Sequence, residues 1–387
     1  MYKKLIFITL TILNLNANEF EEWKAKQDKE FLQSQQEYID WKKQHDAEFE
    51  AYKKAQEEAF SEYKKEIENN WPKAELSTNH KWVEYNKDYT TKKSVDFKNE
   101  NIKFEVVAKD EKEAKKKIED LYMQLLKDDV KTAYKNDKVE SKIAKKLGIP
   151  KQHIESKEKI ITDVLSFEDM KSMYKDVKTQ KLQKIKHNDK FIYKANVKMP
   201  PKTMIKKARL YKDDVNKNAY EQKIREALVF AIMHSESSFN PMARSHIPAF
   251  GLMQIVPRSA GIDSYKYLYG KRKVVSSTYL YDSKKNIKMG SAYLHLLQYK
   301  YLSHIKDPIS KLYCVIAAYN TGAGNVAKAF TGTTNIRKAA IKINAMESTK
   351  VYKHLMRKLP YNETKGYLKK VTDRLASYSK LIDQNKL

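Results

Sequence analysis

The stretch AIMHSESSFNP, residues 231–241, sets the reading of the C-terminal half: an apolar helical run closes on one carboxylate, Glu236, and an Asn-Pro pair follows at once. Proline has no N–H to continue a helix and biases its predecessor away from helical geometry, so the helix ends near Glu236. Upstream, Ile224, Leu228, Ala231 and Ile232 form an apolar face and place one helix over 219–236. A carboxylate in the last turn meets the negative end of the helix dipole, and in an apolar site it is also desolvated. Both effects favour the protonated acid. A glutamic acid held protonated near neutrality is what cleavage of a glycosidic bond requires as its general acid; a solvated helix-end glutamate is the ordinary alternative.

Helical patterns continue at 286–302, 309–319, 336–345, 348–357 and 363–380, and eight of the nine glycines lie beyond residue 250, between these runs. Glycine serves where backbone turns tightly or must approach another group closely. Residues 219–387 therefore read as a compact all-α domain with glycine-bearing loops, and the chain as a whole as mainly α.

Working outward, the charge is uneven. The chain has 387 residues and a formal charge of +27, but residues 19–70 carry 9 basic against 15 acidic groups, and residues 197–387 carry 35 basic against 12 acidic. So positive a C-terminal half implies an anionic partner. The segment 19–70 repeats itself every eleven residues, as EYIDWKK at 37, EFEAYKK at 48 and AFSEYKK at 59. At about 100° per residue, Phe20, Trp23, Phe31, Tyr38, Trp41, Phe49, Tyr52, Phe60, Tyr63 and Ile67 share one stripe, which predicts one long amphipathic helix over 18–70. Its net acidity argues against attachment to anionic lipid, and packing on a partner helix or on the body of the protein is the expected use. Trp71-Pro72 stops it.

Between 75 and 196 the texture changes: KSVDFKN and IKFEVVA alternate apolar and polar residues and predict a β-hairpin, EKEAKKKIEDLYMQLLKDD a helix, EKIITDVLSF either state, and DKFIYKANVKM a returning strand. This is a small α+β domain with nothing catalytic in it, and the Pro200-Pro201 pair and following lysines read as a linker over 197–218. The first residues, MYKKLIFITLTILNLNA, have the layout of a signal peptide cleaved near Ala17, which predicts export. Cys314 is the only cysteine, so no internal disulfide forms, and it sits in the apolar run LYCVIAAY as a packed core residue. No His/Cys cluster has metal-ligand spacing and no glycine loop fits a phosphate, so neither metal nor cofactor is expected.

Three further stretches stand in order after HSESSFNP: GLMQ at 251–254, AAYNTGAGNV at 317–326 and YNETKGYLKKV at 361–371. Together with FNPMARS and YLYDSKKNIKMGSAYLHLL, they resemble the motifs of the lytic transglycosylase family, which has a goose-type lysozyme fold. The resemblance implies that Glu236 is the family's single catalytic acid, with Ser237 hydrogen-bonding near it. It implies further that Met253 and Gln254 line a glycan groove, that Gly251 allows close backbone approach, and that Tyr319 and Asn320 sit beside the acid. Glu363 and Tyr367 would support the site from its far wall. Each has a plainer reading: Ser237 caps a turn, Met253 and Tyr319 are core, Glu363 starts the last helix.

One carboxylate suffices where the substrate's own 2-acetamido group is the nucleophile. The implied reaction cleaves the β-1,4 bond between N-acetylmuramic acid and N-acetylglucosamine, forms a 1,6-anhydro ring and consumes no water. Its substrate, peptidoglycan, carries carboxylates that the basic half would concentrate, in a periplasmic setting. Membrane-bound relatives carry a lipidated cysteine after the signal peptide; here Asn18 follows Ala17, which argues against a lipid anchor and leaves peripheral membrane contact open. A lysozyme-type hydrolase and a non-enzymatic wall-binding or assembly protein are the alternatives. Nucleic acid conflicts with export, and residues 19–70 are the expected surface for self-association or a protein partner.

Overall fold

The computed structural model describes residues 17–387, apart from the side chains of residues 17–19, 34, 38, 41 and 42. The expected signal peptide therefore lies outside the described residues, save for the backbone at Ala17, as do the stripe side chains of Tyr38 and Trp41. The described chain forms two compact units, one ending at Tyr52 and one from Lys53 to Leu387.

The eleven-residue repeat forms a single helix, α1, Ala17–Glu68. Within residues 17–52, side-chain amides bridge acids one turn along, as in Gln33 to Glu37 and Gln44 to Glu48, while Phe31, Leu32 and Ile39 stand exposed. Beyond residue 53 the stripe is inside the protein: Ala59 and Ile67 are fully buried, Phe60 and Tyr63 nearly so.

The sheet has five antiparallel strands, β1 (Lys81–Tyr85), β2 (Thr91–Asp96), β3 (Asn101–Ala108), β4 (Gln183–His187) and β5 (Lys190–Lys198), in the order β1-β2-β3-β5-β4. The expected hairpin is β2-β3, with Val95 opposite Ile102, and the returning strand is β5. Strand alternation gives the sheet two faces. Trp82, Val95, Ile102, Phe104 and Val106 form the apolar one, against α2 (Glu111–Leu125), while the later helix Phe167–Thr179 packs on α2 and β5. The other carries Tyr85, Lys92, Glu105 and Lys194, where Lys92 and Lys194 pair with Glu105. The end of α1 covers it: Trp71 lies under the Lys92 ammonium and donates to the Tyr89 carbonyl at 2.7 Å. Short helices α3 (Val130–Asn136), α4 (Lys138–Lys146) and α5 (Phe167–Thr179) complete this part. Each starts on an Asp or Ser cap, at Asp129, Asp137 and Ser166. The ambiguous EKIITDVLSF is a short 3-10 turn at Thr162–Val164.

Residues 197–218 are not a linker. After Pro200-Pro201 the chain forms α6 (Thr203–Leu210) and α7 (Lys212–Gln222), with Ala208, Tyr211, Val215 and Ala219 buried. Lysines that read as solvated hid this stripe: Lys207 is itself buried, donating to the Ile160 carbonyl at 3.2 Å, and burial lowers its pKa to about 8. Tyr211 donates to the half-buried Glu158. The single helix expected over 219–236 is also two, because Lys223 takes a left-handed conformation, φ 54°, and separates α7 from α8, Glu226–Glu236. The remaining helices are α9 (Ile262–Tyr269), α10 (Ser277–Leu280), α11 (Ser283–His295), α12 (Pro308–Thr321), α13 (Ala323–Thr331), α14 (Ile336–Asn344), α15 (Ser348–Lys358) and α16 (Asn362–Asp383). The long helix α16 packs on α8 and α12 and brings its first turns to the end of α8.

Candidate active site

Helix α8 is buried from Ala227 through Met233 and presents Glu236 as its last residue. The chain then turns through two consecutive left-handed residues, Ser238 at φ 52° and Phe239 at φ 60°, a conformation that costs on the order of 1–3 kcal/mol for each such residue. Packing holds it, since the Phe239 ring is fully buried and stacks on Tyr211, 6.2 Å between centroids.

Glu236 keeps part of its surface open to solvent, yet its carboxyl is hemmed in closely enough that its pKa is pushed up to about 7. Burial is the main cause; the Tyr367 hydroxyl and the Lys370 ammonium oppose it, and the Glu363 charge adds to it. Tyr367 is nearly buried, and its hydroxyl faces the carboxyl without reaching strict hydrogen-bond geometry. The Tyr319 hydroxyl pKa is raised by burial first and by the Glu236 charge second. An acid near pKa 7 can deliver a proton and take one back at neutral pH.

Of the remaining expected residues, Tyr319 and Tyr367 feel the Glu236 charge, whereas Asn320 and Gln254 are fixed by other neighbours. Tyr319 donates to the Met253 carbonyl at 2.9 Å, and Asn320 accepts from the buried Thr364 at 2.7 Å. Gln254, at φ 48°, donates to the carbonyls of Ala243 and Gly251, and its side-chain oxygen has no hydrogen-bond partner among the described residues. Ser237, Gly251 and Met253 are buried. The Ser237 hydroxyl is fully buried and has two carbonyls in reach of its one proton, Leu252 at 2.8 Å and Met233 at 3.0 Å, so it ties α8 to the 251–254 turn. Met253 is fully buried against Gly290, where an added Cβ would come within 2.2 Å of its sulfur. The close approach at Gly251 is internal as well: at φ +74° an added Cβ would stand 2.2 Å from the Leu280 carbonyl oxygen. Glu363 is exposed in the first turn of α16, and its charge raises the Glu236 pKa.

The sequence reading missed three residues here. Asn286 is a buried hub that donates to the Phe250 and Leu280 carbonyls and accepts from the Met253 N–H, each at 2.8 Å. Lys370 donates to the Ser235 carbonyl at 3.2 Å, and its place three residues after Tyr367, on the same helix face, was the available signal. Asn79, from the loop before β1, donates to the Glu236 carbonyl at 2.9 Å and has no sequence signal.

Residues 213–342 match the family described as the transglycosylase SLT domain. Over 316 residues, 81% of this chain and 86% of the relative, it is 32% identical to a membrane-bound lytic murein transglycosylase C of Salmonella arizonae. The chain belongs to the lytic murein transglycosylase family. A second relative of the same name, from Serratia proteamaculans, is 40% identical over 198 residues, 51% of this chain and 54% of that protein. The chain thus spans about half the length of several relatives it matches. The 70 kDa soluble lytic transglycosylase of Escherichia coli is 18% identical over 70% of this chain and 44% of that one, with a TM-score of 0.35. Among transglycosylase relatives, then, the match takes in Glu236, Gly251, Gln254, Tyr319 and Asn320, all inside the SLT segment. No helix among the described residues is long and apolar enough to cross a membrane.

Proposed function

We propose that this chain is a lytic transglycosylase that cleaves the β-1,4 bond between N-acetylmuramic acid and N-acetylglucosamine in peptidoglycan, leaving a 1,6-anhydro-N-acetylmuramic acid end. The observation that carries this reading is the Glu236 carboxyl, at the end of a buried helix with its pKa near 7, faced by Tyr319 and Tyr367 inside a family-matched segment.

Glu236 protonates the departing glycosidic oxygen while the muramic 2-acetamido oxygen bonds to its own anomeric carbon. The resulting carboxylate removes the proton of the 6-hydroxyl, and that oxygen displaces the acetamido oxygen to close the ring. The proton given in the first step is recovered in the second. Tyr367 and Lys370, which favour the charged form of Glu236, support the carboxylate between the steps. Tyr319, Asn320 and Gln254 contact the glycan, while Ser237, Gly251 and Met253 hold that wall from behind. The net positive charge of residues 197–387 concentrates a carboxylate-bearing polymer, in keeping with action outside the cytoplasm and against the wall.

Mass spectrometry of digested peptidoglycan tests the reaction. Muropeptides ending in the 1,6-anhydro sugar are expected, and reducing ends without them would make the enzyme a hydrolase.

A further inference from the structure

The last four carbonyls of a helix have no partner within it and must find one elsewhere. At the end of α8 each has one. The Met233 oxygen accepts from the Ser237 N–H, the His234 oxygen from the Ser238 N–H, and the Ser235 oxygen from Lys370 of α16. The fourth, the carbonyl of Glu236 itself, accepts from Asn79, 157 residues earlier and on the sheet-bearing part of the chain.

This contact belongs to a reciprocal lock. Asn240 donates its side-chain amide back to the Asn79 carbonyl at 3.2 Å, and the Ser238 hydroxyl meets His80 Nδ1 at 3.1 Å. The loop that presents Asn79 is itself fixed, since the Thr78 N–H donates to the Lys81 carbonyl at 2.8 Å and the Thr78 hydroxyl accepts from the His80 and Lys81 N–H groups. The strained pair Ser238 and Phe239 lies between these two anchors. We propose that Asn79 is a positioning residue for Glu236, so that the sheet domain completes the seat of the acid through a hydrogen bond to its main chain. This rests on the reading of Glu236 as the catalytic acid.

The charged and titratable groups around that seat are Glu363, Tyr367, Lys370, Arg374 and Tyr378 of α16, Tyr319 of α12, His234 of α8, His80 beside Asn79, and Lys98 after β2. Both histidines are held neutral by burial and nearby cations, with pKa values lowered to about 4 for His80 and about 3 for His234. Neither titrates in the range where Glu236 does.

The discriminating variant is Asn79→Asp in the full chain, which keeps size and shape but turns a donor into an acceptor facing a carbonyl. On soluble glycan strands, Asn79→Asp and Asn79→Ala should each lower kcat about tenfold or more with KM within about twofold, the range of a misplaced acid. In Asn79→Asp the alkaline limb of the pH profile should also move to higher pH, because the added negative charge favours protonated Glu236. Asn79→Gln, which retains the donor, should recover part of the lost kcat. Wild-type kcat in Asn79→Asp overturns the proposal, as does a loss that falls on KM or that merely tracks a lowered melting temperature. Wild-type turnover in Glu236→Gln would instead remove the catalytic reading itself.

Discussion

The Tyr319 hydroxyl donates to the main-chain oxygen of Met253 across 2.9 Å, joining α12 to the turn that follows Gly251. Those residues lie 66 positions apart, and the bond holds two distant segments of the chain together. Tyr319→Phe removes the donor and leaves a carbonyl without its partner, which should cost about 1–3 kcal/mol in urea unfolding. Because the ring remains, kcat should fall more than glycan affinity does.

Glu236→Gln keeps the shape of the side chain but has no proton to give. Turnover should drop at least about a hundredfold, with glycan binding by equilibrium titration unchanged. A variant retaining more than about a hundredth of the parent kcat would take Glu236 out of the acid role.

A carboxyl whose pKa is raised on folding binds more protons folded than unfolded, so stability falls as pH climbs from its ordinary 4.5 through about 7. Glu236→Gln abolishes that titration. The variant should melt at a higher temperature than the parent at about pH 8, and the gap should close below about pH 4.5. Over the same range the parent's kcat/KM should decline above about pH 7, where the acid is lost.

Gly251→Ala sets a Cβ against the Leu280 carbonyl oxygen in a backbone conformation that L residues rarely adopt. Neither the carbonyl nor Asn286, which is bonded to it, can withdraw. A destabilisation of about 2 kcal/mol or more is expected from strain and overpacking, measured by thermal melting.

Beyond residue 53 the stripe of α1 is core, with Ala59, Phe60, Tyr63 and Ile67 buried. Phe60→Ala in the intact chain should cost about 3–5 kcal/mol. Phe60 lies beside the Arg244 guanidinium and His246, and next to it Gln56 donates to the His246 carbonyl, so this part of the stripe is core.

Where burial follows a local period, the sequence alone determined the element. The eleven-residue recurrence of aromatic residues required α1, alternation required β2 and β3, and an apolar run closed by Asn240-Pro241 required a helix ending at Glu236. Where a lysine was buried or a turn was left-handed, the local pattern pointed elsewhere, and α6, α7 and the break at Lys223 went unread. Residue identity brought Tyr319, Asn320, Gln254, Tyr367, Ser237, Gly251 and Met253 to one list but could not show that Ser237, Gly251 and Met253 are buried. Only the tertiary structure decided that, and with it the raised pKa of Glu236 and the contact from Asn79. The physical reason is that periodicity records which side of one element is buried, whereas desolvation and hydrogen bonds between distant segments depend on what is packed against it.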